Sequence, residues 1–287
     1  MIAIIFGAKG QDGYYLTKLL QQKGAEVIGI KREDEIDIRD FGIVKRLVQD
    51  YKPAYIFHLA ANSTTSHQAL IENHQVIVTG SLNILESVKI SSPSTKVFLS
   101  GSGLQFKNEG KPIKETDPFI ASSAYGMSRN QSVIAARYYR GLGIKSYVGY
   151  FFNHDSPLRS ERHVSQKIIK AVKRISEGSN EKIEIGDLSV KKEWGFAGDI
   201  VKGIWALVQQ DSCMEAVIGT GKAYSIQEWM ETCFSLIGKN WRDYLLIKKN
   251  FVPEYKILVS DPFTIFSLGW QPEISFEQLA QMMLDKS

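Results

Sequence analysis

Three glycines near the start of the chain are spaced to bind a phosphate group. Gly7, Gly10 and Gly13 form the pattern G-x-x-G-x-x-G between a run that predicts a strand and a pattern that predicts a helix. Without side chains at these positions, the backbone can turn tightly and approach a pyrophosphate at the positive end of the helix. The same glycines could instead only tighten strand–helix packing, but their place after the first strand favours dinucleotide binding.

Two cations follow the second predicted strand. Lys31 and Arg32 stand where a chain that prefers NAD carries an acidic residue for the adenosine ribose. Cations at this point suit a 2′-phosphate, so the sequence predicts NADP as cofactor, with NAD as the alternative. Three acidic residues at 33–35 follow at once, and the two cations could equally form a solvated turn.

Ser102, Tyr125 and Arg129 could together move a proton to or from an alcohol. Tyr125 precedes Arg129 by four residues in a predicted helix, and Ser102 follows a predicted strand. A phenol is too weak a base at neutral pH unless a nearby cation lowers its pKa. Taken alone, the tyrosine and the cation would be more typical of a surface pair. Combined with the glycine turn, the three residues resemble the Ser/Thr-Tyr-Lys arrangement of the short-chain dehydrogenases/reductases.

Short β-branched runs alternate with amphipathic helical patterns over residues 1–150. This alternation predicts an α/β fold, a Rossmann-type doubly wound parallel sheet with its ligand site at the carboxyl ends of the strands. Residues 151–287 are predicted to form mainly a smaller C-terminal substrate-binding lobe, with a helix near 200–208 returning to the first domain. Predicted strands are 2–6, 26–30, 55–59 and 96–100, and predicted helices are 14–22, 41–50, 77–89 and 124–140.

Composition excludes several classes of protein. Lysine and arginine total 35 against 31 aspartates and glutamates, and this small surplus in 287 residues argues against a nucleic-acid-binding protein. Two cysteines, Cys213 and Cys233, and an N-terminus without a basic signal-peptide region predict a cytoplasmic location. No apolar run approaches the ~20 residues that span a bilayer, so no membrane association is expected. The histidines and cysteines lack ligand spacing, and no metal is predicted.

Further segments resemble one family, the GDP-mannose 4,6-dehydratases, which are extended short-chain dehydrogenases/reductases. The most distinctive segment is F-N-H-D-S-P at 152–157. The resemblance covers nearly the whole chain and also rests on 6–16, 164–168, 193–195, 219–221 and 268–272. It implies an NAD(P)-dependent enzyme that acts on a nucleotide-diphosphate sugar, most simply a GDP-linked one.

The resemblance also implies roles for individual residues. Those implied to hold the cofactor, besides Lys31, Arg32, Tyr125 and Arg129, are Gly7, Gly10, Gln11, Asp12, Asp37, Ile38, Leu59, Ala60, Ala61, Ser63, His154 and Arg159. Those implied to contact the nucleotide sugar are Ser102, Asn153, Val164, Lys167, Lys192 and Glu254. Without the resemblance, Lys167 fits a solvated helix face equally well, and Asn153 and His154 could simply close a turn.

Three positions depart from the family pattern. Leu104 stands two residues after Ser102, where the family has a glutamate that resembles the acid/base for removing the C5 proton and expelling the C6 hydroxyl. Arg129 replaces the family lysine; it keeps a positive charge but cannot shuttle a proton. Val252 stands where the family has an arginine for the substrate diphosphate.

These departures favour hydride transfer over elimination. The leading expectation is a 4-keto sugar reductase or C4 oxidoreductase/epimerase acting on a nucleotide-linked (deoxy)hexose. The second is a GDP-mannose 4,6-dehydratase that uses another acid/base, with Glu109, Asp117 and Asp155 as poor stand-ins. The third is a catalytically silent member that binds nucleotide sugar and acts through a partner.

The resemblance implies a homodimer that pairs through helices 77–89 and 124–140. Only four residues separate Arg32 from Asp37, where the family has a long loop that reaches a neighbouring subunit. Because this connection is short, the family's tetramer is a weaker expectation for this chain. The short connection also weakens the prediction of NADP over NAD.

Overall fold

The fold is seen in a computed structural model that describes residues 1–286. The strands are β1 (Ile2–Phe6), β2 (Glu26–Ile30), β3 (Tyr55–His58), β4 (Lys96–Ser102), β5 (Ser146–Phe151), β6 (His154–Asp155), β7 (Ile183–Ile185), β8 (Lys191–Glu193), β9 (Gly195–Phe196), β10 (Glu215–Ile218), β11 (Ala223–Ser225), β12 (Leu245–Ile247) and β13 (Ile257–Leu258). The α-helices are α1 (Gln11–Gln22), α2 (Phe41–Tyr51), α3 (Leu70–Asn73), α4 (Gly80–Ser91), α5 (Ala124–Gly141), α6 (Val164–Ser176), α7 (Ala197–Val208), α8 (Ile226–Ser235), α9 (Phe263–Ser267) and α10 (Phe276–Asp285).

A six-stranded parallel sheet forms the centre of the larger lobe. Its strand order is β10-β5-β4-β3-β1-β2, and each neighbouring pair is parallel. The order reverses between β1 and β3, and such a point leaves a crevice at the carboxyl ends of the strands. The predicted Rossmann-type sheet is therefore confirmed. Its sixth strand, β10, comes from beyond residue 151, so the chain returns to the large sheet after forming part of the small lobe.

Alternating strand residues bury both faces of the sheet. One face packs against α2, α4 and α5 around residues such as Ile4 and Val97, and the other packs against α1 and α7 around Ile5 and Phe98. Parallel strands covered by helices on both sides read as nearly continuous apolar runs, as in Ile2–Phe6. The sheet is a rigid platform that holds the loops at its carboxyl edge.

The smaller lobe has its own apolar core. Helices α6, α8 and α10 pack around Trp194 and Trp229, whose rings stack at a centroid distance of 4.4 Å. Trp194 is only 3% exposed, so it belongs to this core. The strands outside the large sheet form three small sheets, β11-β8-β13, β12-β7 and β6-β9.

Two predicted helix starts differ from the structure. Helix α1 begins at Gln11, three residues before the predicted start, because Gly10 is the extended N-cap residue that directly follows the glycine turn. Helix α4 begins at Gly80, after a π-helical segment at His74–Thr79. A Cβ on Gly80 would lie 2.9 Å from Cδ1 of Ile38, so this helix approaches the connection after β2 very closely.

Candidate active site

The glycine turn brings the backbone of two loops into contact. Gly7 has φ +91°, a left-handed conformation that glycine adopts without strain, and a Cβ on it would lie 2.8 Å from the amide nitrogen of Ala60. A Cβ on Gly13 would lie 2.3 Å from the Gly7 carbonyl oxygen. Gly10 supplies no side-chain cap to α1, so the free N–H groups of its first turn remain available to an anion. The turn fits the diphosphate of a dinucleotide.

Gln11, Asp12 and His154 join this turn to the loop after β5. Gln11 Nε2 donates to the His154 carbonyl oxygen at 3.2 Å, and His154 Nε2 lies 2.9 Å from Asp12 Oδ1. Burial alone would lower the pKa of His154, but the Asp12 carboxylate outweighs it and raises that pKa. Burial would likewise raise the pKa of Asp12, and the facing His154 lowers it overall. The pair ties the start of α1 to β6 beside the turn.

A cavity of about 690 Å³ runs from the glycine turn to the end of β4. It lies between the two lobes, at the carboxyl edge of the large sheet. Of the predicted residues, those that line it are Gly7, Gly10, Gln11, Asp12, Leu59, Ala61, Ser63, Ser102, Tyr125, Arg129, Asn153, His154, Arg159 and Glu254. The structure thus brings the predicted catalytic residues and most of the predicted cofactor residues to one cavity.

Ser102 is fixed by a short helical turn after β4. Its backbone N–H donates to Gln105 Oε1 at 2.7 Å, and its Oγ accepts the N–H of Leu104 at 3.2 Å. Since the hydroxyl oxygen already accepts one hydrogen bond, its own proton remains available to a ligand. Ser102 is 9% exposed, and its hydroxyl forms part of the cavity wall.

Tyr125 lies in the first turn of α5, one turn before Arg129. The helix is capped by Ser123, whose Oγ accepts the N–H of Gly126 at 3.1 Å. The guanidinium carbon of Arg129 lies 5.1 Å from the centroid of the Tyr125 ring, within cation–π range. The fixed helix start and the ring contact place a phenol and a permanent cation side by side on the cavity wall.

Arg129 is anchored to β4. Its side chain is buried, with 4% of the residue exposed. Its Nη1 donates to the backbone oxygen of Ser100 and, at 2.8 Å, to Ser100 Oγ. Its Nε makes no hydrogen bond among the described residues. Ser100 Oγ in turn donates to the His58 carbonyl oxygen. Burial, and then the Arg129 charge, lower the pKa of His58 to about 3. The guanidinium is thus held in place beneath Tyr125.

Leu104 faces the cavity where a carboxylate was expected from the resemblance. Its side chain is half-buried and packs against the core beneath the sheet. The three carboxylates considered as alternative acid/base groups lie elsewhere. Glu109 pairs with Lys107, and Asp117 accepts the N–H of Lys114. Asp155 is buried against Ser165 and Arg159. Val252 is 85% exposed and brings no cation.

Two carboxylates line the cavity within the described part of the chain. Asp12 is paired with His154, whereas Glu254 has only Thr65, whose Oγ1 donates to it at 3.5 Å. Burial raises the pKa of Glu254. The turn that carries Ser102 therefore offers no carboxylate that could act as the acid/base for eliminating water.

Other predicted residues lie outside the cavity wall. Five of them lie near the glycine turn or in the connection after β2: Lys31, Arg32, Asp37, Ile38 and Ala60. In this group, Arg32 Nη2 lies 3.1 Å from Glu72 Oε1, and Asp37 forms an ion pair with Arg39. Val164 packs against the core of the small lobe, and Lys167 Nζ donates to the Glu184 carbonyl oxygen at 2.7 Å. Lys192 is 8% exposed and its Nζ lies 4.3 Å from the Trp194 ring centroid. Their assignment to cofactor or substrate stays a prediction.

Sequence reasoning missed a second group of cavity residues. They include Lys9, Thr65, Arg162, His163 and Tyr255. Arg162 and His163 follow the F-N-H-D-S-P segment by only a few residues, and two basic side chains just before a helix were the one available signal. Among residues 1–286 no group of His, Cys, Asp and Glu could hold a metal ion, and no helix is long and apolar enough to cross a membrane.

Comparison with known proteins gives relatives over the full length. A model of the family described as GDP-mannose 4,6 dehydratase matches residues 34–283. GDP-mannose 4,6 dehydratase 2 of Arabidopsis thaliana is 31% identical over 321 residues, which cover 99% of this chain and 86% of the relative.

Solved structures share the fold. RMD from Pseudomonas aeruginosa, complexed with NADPH, has a TM-score of 0.88 at 18% identity and covers 99% of this chain and 98% of its own. The UDP-glucose 4-epimerase of Thermus thermophilus, in complex with NAD, has a TM-score of 0.85 at 20% identity. The match covers 100% of this chain and 98% of the epimerase chain. Both matches extend over the two lobes of this chain.

Proposed function

The chain belongs to the GDP-mannose 4,6-dehydratase family of extended short-chain dehydrogenases/reductases, and we propose that it transfers a hydride between a nicotinamide cofactor and C4 of a nucleotide-linked sugar. It is a nucleotide-sugar enzyme of the epimerase/dehydratase type. The proposed reaction is that of a 4-keto sugar reductase or C4 oxidoreductase/epimerase. The observation that carries it is the combination of Ser102 and Tyr125 with an apolar Leu104 at one end of the cavity.

The bound nicotinamide ring would supply the hydride to C4 of the ketone. As that bond forms, the Tyr125 phenol donates its proton to O4, and the carbonyl becomes a carbinol. Ser102 Oγ donates a hydrogen bond to the same oxygen, because its acceptor side is already engaged by Leu104 N–H. The guanidinium carbon of Arg129, 5.1 Å from the centroid of the Tyr125 ring, keeps a permanent positive charge beside the phenol.

Leu104 makes water elimination the weaker assignment. Elimination across C5 and C6 needs a group that removes one proton and protonates the departing hydroxyl, and a leucine can do neither. The lack of a positioned acid/base typically costs about 10²–10⁴ in rate. An apolar wall two residues after Ser102 suits a sugar that has already lost its C6 hydroxyl. We therefore propose a 6-deoxy-4-keto sugar as the preferred substrate.

The proposed cofactor is NADP, with NAD as the alternative. Lys31 and Arg32 follow β2, and Arg32 is exposed enough, with 87% of its side chain accessible, to leave Glu72 for a 2′-phosphate. Exposed ion pairs of this kind contribute little and exchange partners readily. The relative from Pseudomonas aeruginosa carries NADPH and the epimerase from Thermus thermophilus carries NAD, so both forms fit this fold.

We propose a GDP-linked substrate and a homodimer. Guanine rests on the named activity of the Arabidopsis relative. The dimer is supported by exposed apolar side chains on adjacent helices of the large lobe: Leu82 on α4, and Ile134 and Tyr138 on α5, the last two more than 60% exposed. Apolar residues on two neighbouring helices suit an isologous interface.

One assay separates the proposed reaction from its alternatives. Purified protein is incubated with GDP-mannose and NADP⁺, and separately with a GDP-4-keto-6-deoxy sugar and NADPH, and products are followed by mass. Consumption of NADPH with the keto sugar alone is the expected result. Loss of one water from GDP-mannose would instead identify a 4,6-dehydratase, the second candidate, which the names of its relatives favour. Inertness toward both, with cofactor still bound, would indicate a silent member.

A further inference from the structure

The loop between β6 and α6 carries three basic side chains that face the cavity. Arg162 Nη2 donates to Ser63 Oγ at 3.0 Å, and its Nη1 lies 3.4 Å from Asn62 Oδ1. Its Nε donates to His163 Nε2 at 3.3 Å, and Arg159 Nη2 lies 3.2 Å from His163 Nδ1. The imidazole is thus held between two guanidinium groups at the mouth of the cavity.

This cluster has more hydrogen-bond donors than acceptors. A neutral imidazole has one ring nitrogen that accepts and one that donates, so it cannot satisfy an arginine N–H at both. Arg159 Nε lies 3.3 Å from Asp155 Oδ1 but makes no hydrogen bond among the described residues. Unused guanidinium donors beside a cavity are the arrangement that a ligand with several anionic oxygens completes.

The cluster also has an excess of positive charge. Arg162 forms no ion pair with any carboxylate in residues 1–286. Arg159 faces Asp155 at 3.3 Å, but Asp155 is buried, accepts the Ser165 hydroxyl and also interacts with the buried Lys192. One carboxylate therefore serves two cations, and Arg162 adds a third charge that is left without a counter-ion.

We propose that Arg162 and His163 bind the diphosphate of the nucleotide sugar, and that Arg159, which the resemblance implies for the cofactor pocket, positions the His163 ring through its Nη2. The inference rests on the proposed function and identifies which residues of that site hold its anion. On binding, the phosphate oxygens replace Ser63 and Asn62 as acceptors for Arg162. The cofactor diphosphate is already accounted for at the uncapped N-terminus of α1. The basic loop instead leads into α6, which packs in the core of the small lobe.

His163 gives the proposal a pH signature. In the free protein, burial first and then the charge of Arg159 lower the pKa of His163 to about 4, with Arg162 and Lys192 acting in the same direction and Asp155 against it. A diphosphate beside the ring would favour its protonated form. Binding would then take up a proton, and affinity would rise as the pH falls toward about 4, the pKa of the ring in the free protein.

The test measures binding rather than turnover. GDP and NADP⁺ are titrated separately into the purified protein by isothermal calorimetry, for the native chain and for Arg162→Gln. Arg46→Gln is the matched control, because Arg46 is exposed on α2, away from the cavity. A hydrogen bond to a charged group predicts a loss of about tenfold or more in GDP affinity, with NADP⁺ affinity changed less than about twofold. Thermal melting of each variant checks folding, and Arg162→Lys should retain an intermediate GDP affinity.

Each outcome decides the proposal. Weaker GDP binding by Arg162→Gln alone supports it. An unchanged GDP affinity overturns it, and so does a loss confined to NADP⁺, which would assign the cluster to the cofactor. His163→Phe should remove the proton uptake, seen as the dependence of binding enthalpy on buffer; uptake that persists would exclude His163. Because binding is measured without catalysis, an enzyme that proves not to be a reductase leaves this test intact.

Discussion

Replacing Leu104 with glutamate should create an elimination activity. The Leu104 side chain lines the cavity two residues after Ser102, on the same turn. Leu104→Glu puts a carboxylate there, and a positioned general acid/base typically contributes about 10²–10⁴ in rate. The leucine is only half-buried, so at about 25 cal/mol per Å² the lost apolar burial costs about 1 kcal/mol of stability. The variant should therefore fold, and water loss from GDP-mannose should exceed that of the native chain by at least about a hundredfold.

Leu104→Gln is the control for this experiment. Glutamine has nearly the shape of glutamate but cannot transfer a proton, so it reports the effect of polarity alone. Each protein is incubated with GDP-mannose and NADP⁺, and loss of one water is followed by mass spectrometry. Equal rates for the two variants, with both binding NADP⁺ like the native chain, would show that a carboxylate at position 104 does not catalyse elimination. A native chain that eliminates water as fast as Leu104→Glu would show the same.

Three further predictions concern the residues around Tyr125. Tyr125→Phe should lower turnover by about 10²–10⁴ and change NADP⁺ affinity less than about twofold; unchanged turnover would remove the phenol from the mechanism. Ser100→Ala leaves Arg129 short of one acceptor and should lower the free energy of unfolding in urea by about 1–3 kcal/mol, more than Ser100→Thr does. The buried His58 has a folded pKa of about 3, below its unfolded value, so the unfolded state binds the extra proton. The free energy of unfolding should thus fall by about 1.4 kcal/mol per pH unit below about pH 6.5. The fall should be less steep in His58→Gln. Equal slopes in the two proteins would show that His58 is not the cause.

The repeated part of the fold could be predicted from the sequence. Strands such as Ile2–Phe6 are apolar throughout because they are buried on both faces, and the helices between them show one apolar face. The place of Glu215–Ile218 in the sheet could not, because four residues that pair with β5 across more than sixty residues leave no local pattern. The π-helical segment at His74–Thr79 could not be predicted either, because its residues continue the apolar helical pattern of 77–89.

The site divides in the same way. Gly7, Ser102 and Tyr125, which line the cavity, could be found because the spacings that single them out are short and visible in the sequence. Arg162 could not, because its contacts with Ser63 and Asn62 join segments about 100 residues apart. The anchoring of Arg129 on Ser100 is of the same kind: the substitution is visible in the sequence, but the direction of the guanidinium is fixed only by packing.

Direct transfer of a hydride from cofactor to C4 is the most immediate test of the proposed function. NADPH deuterated at the transferable position is mixed with a GDP-4-keto-6-deoxy sugar and the purified enzyme, and the product is examined by mass and by NMR. One deuterium at C4 is expected, with one cofactor oxidised for each product formed. A chain that instead dehydrates GDP-mannose without net use of cofactor, and leaves no deuterium at C4 of the keto sugar, would contradict the proposed function.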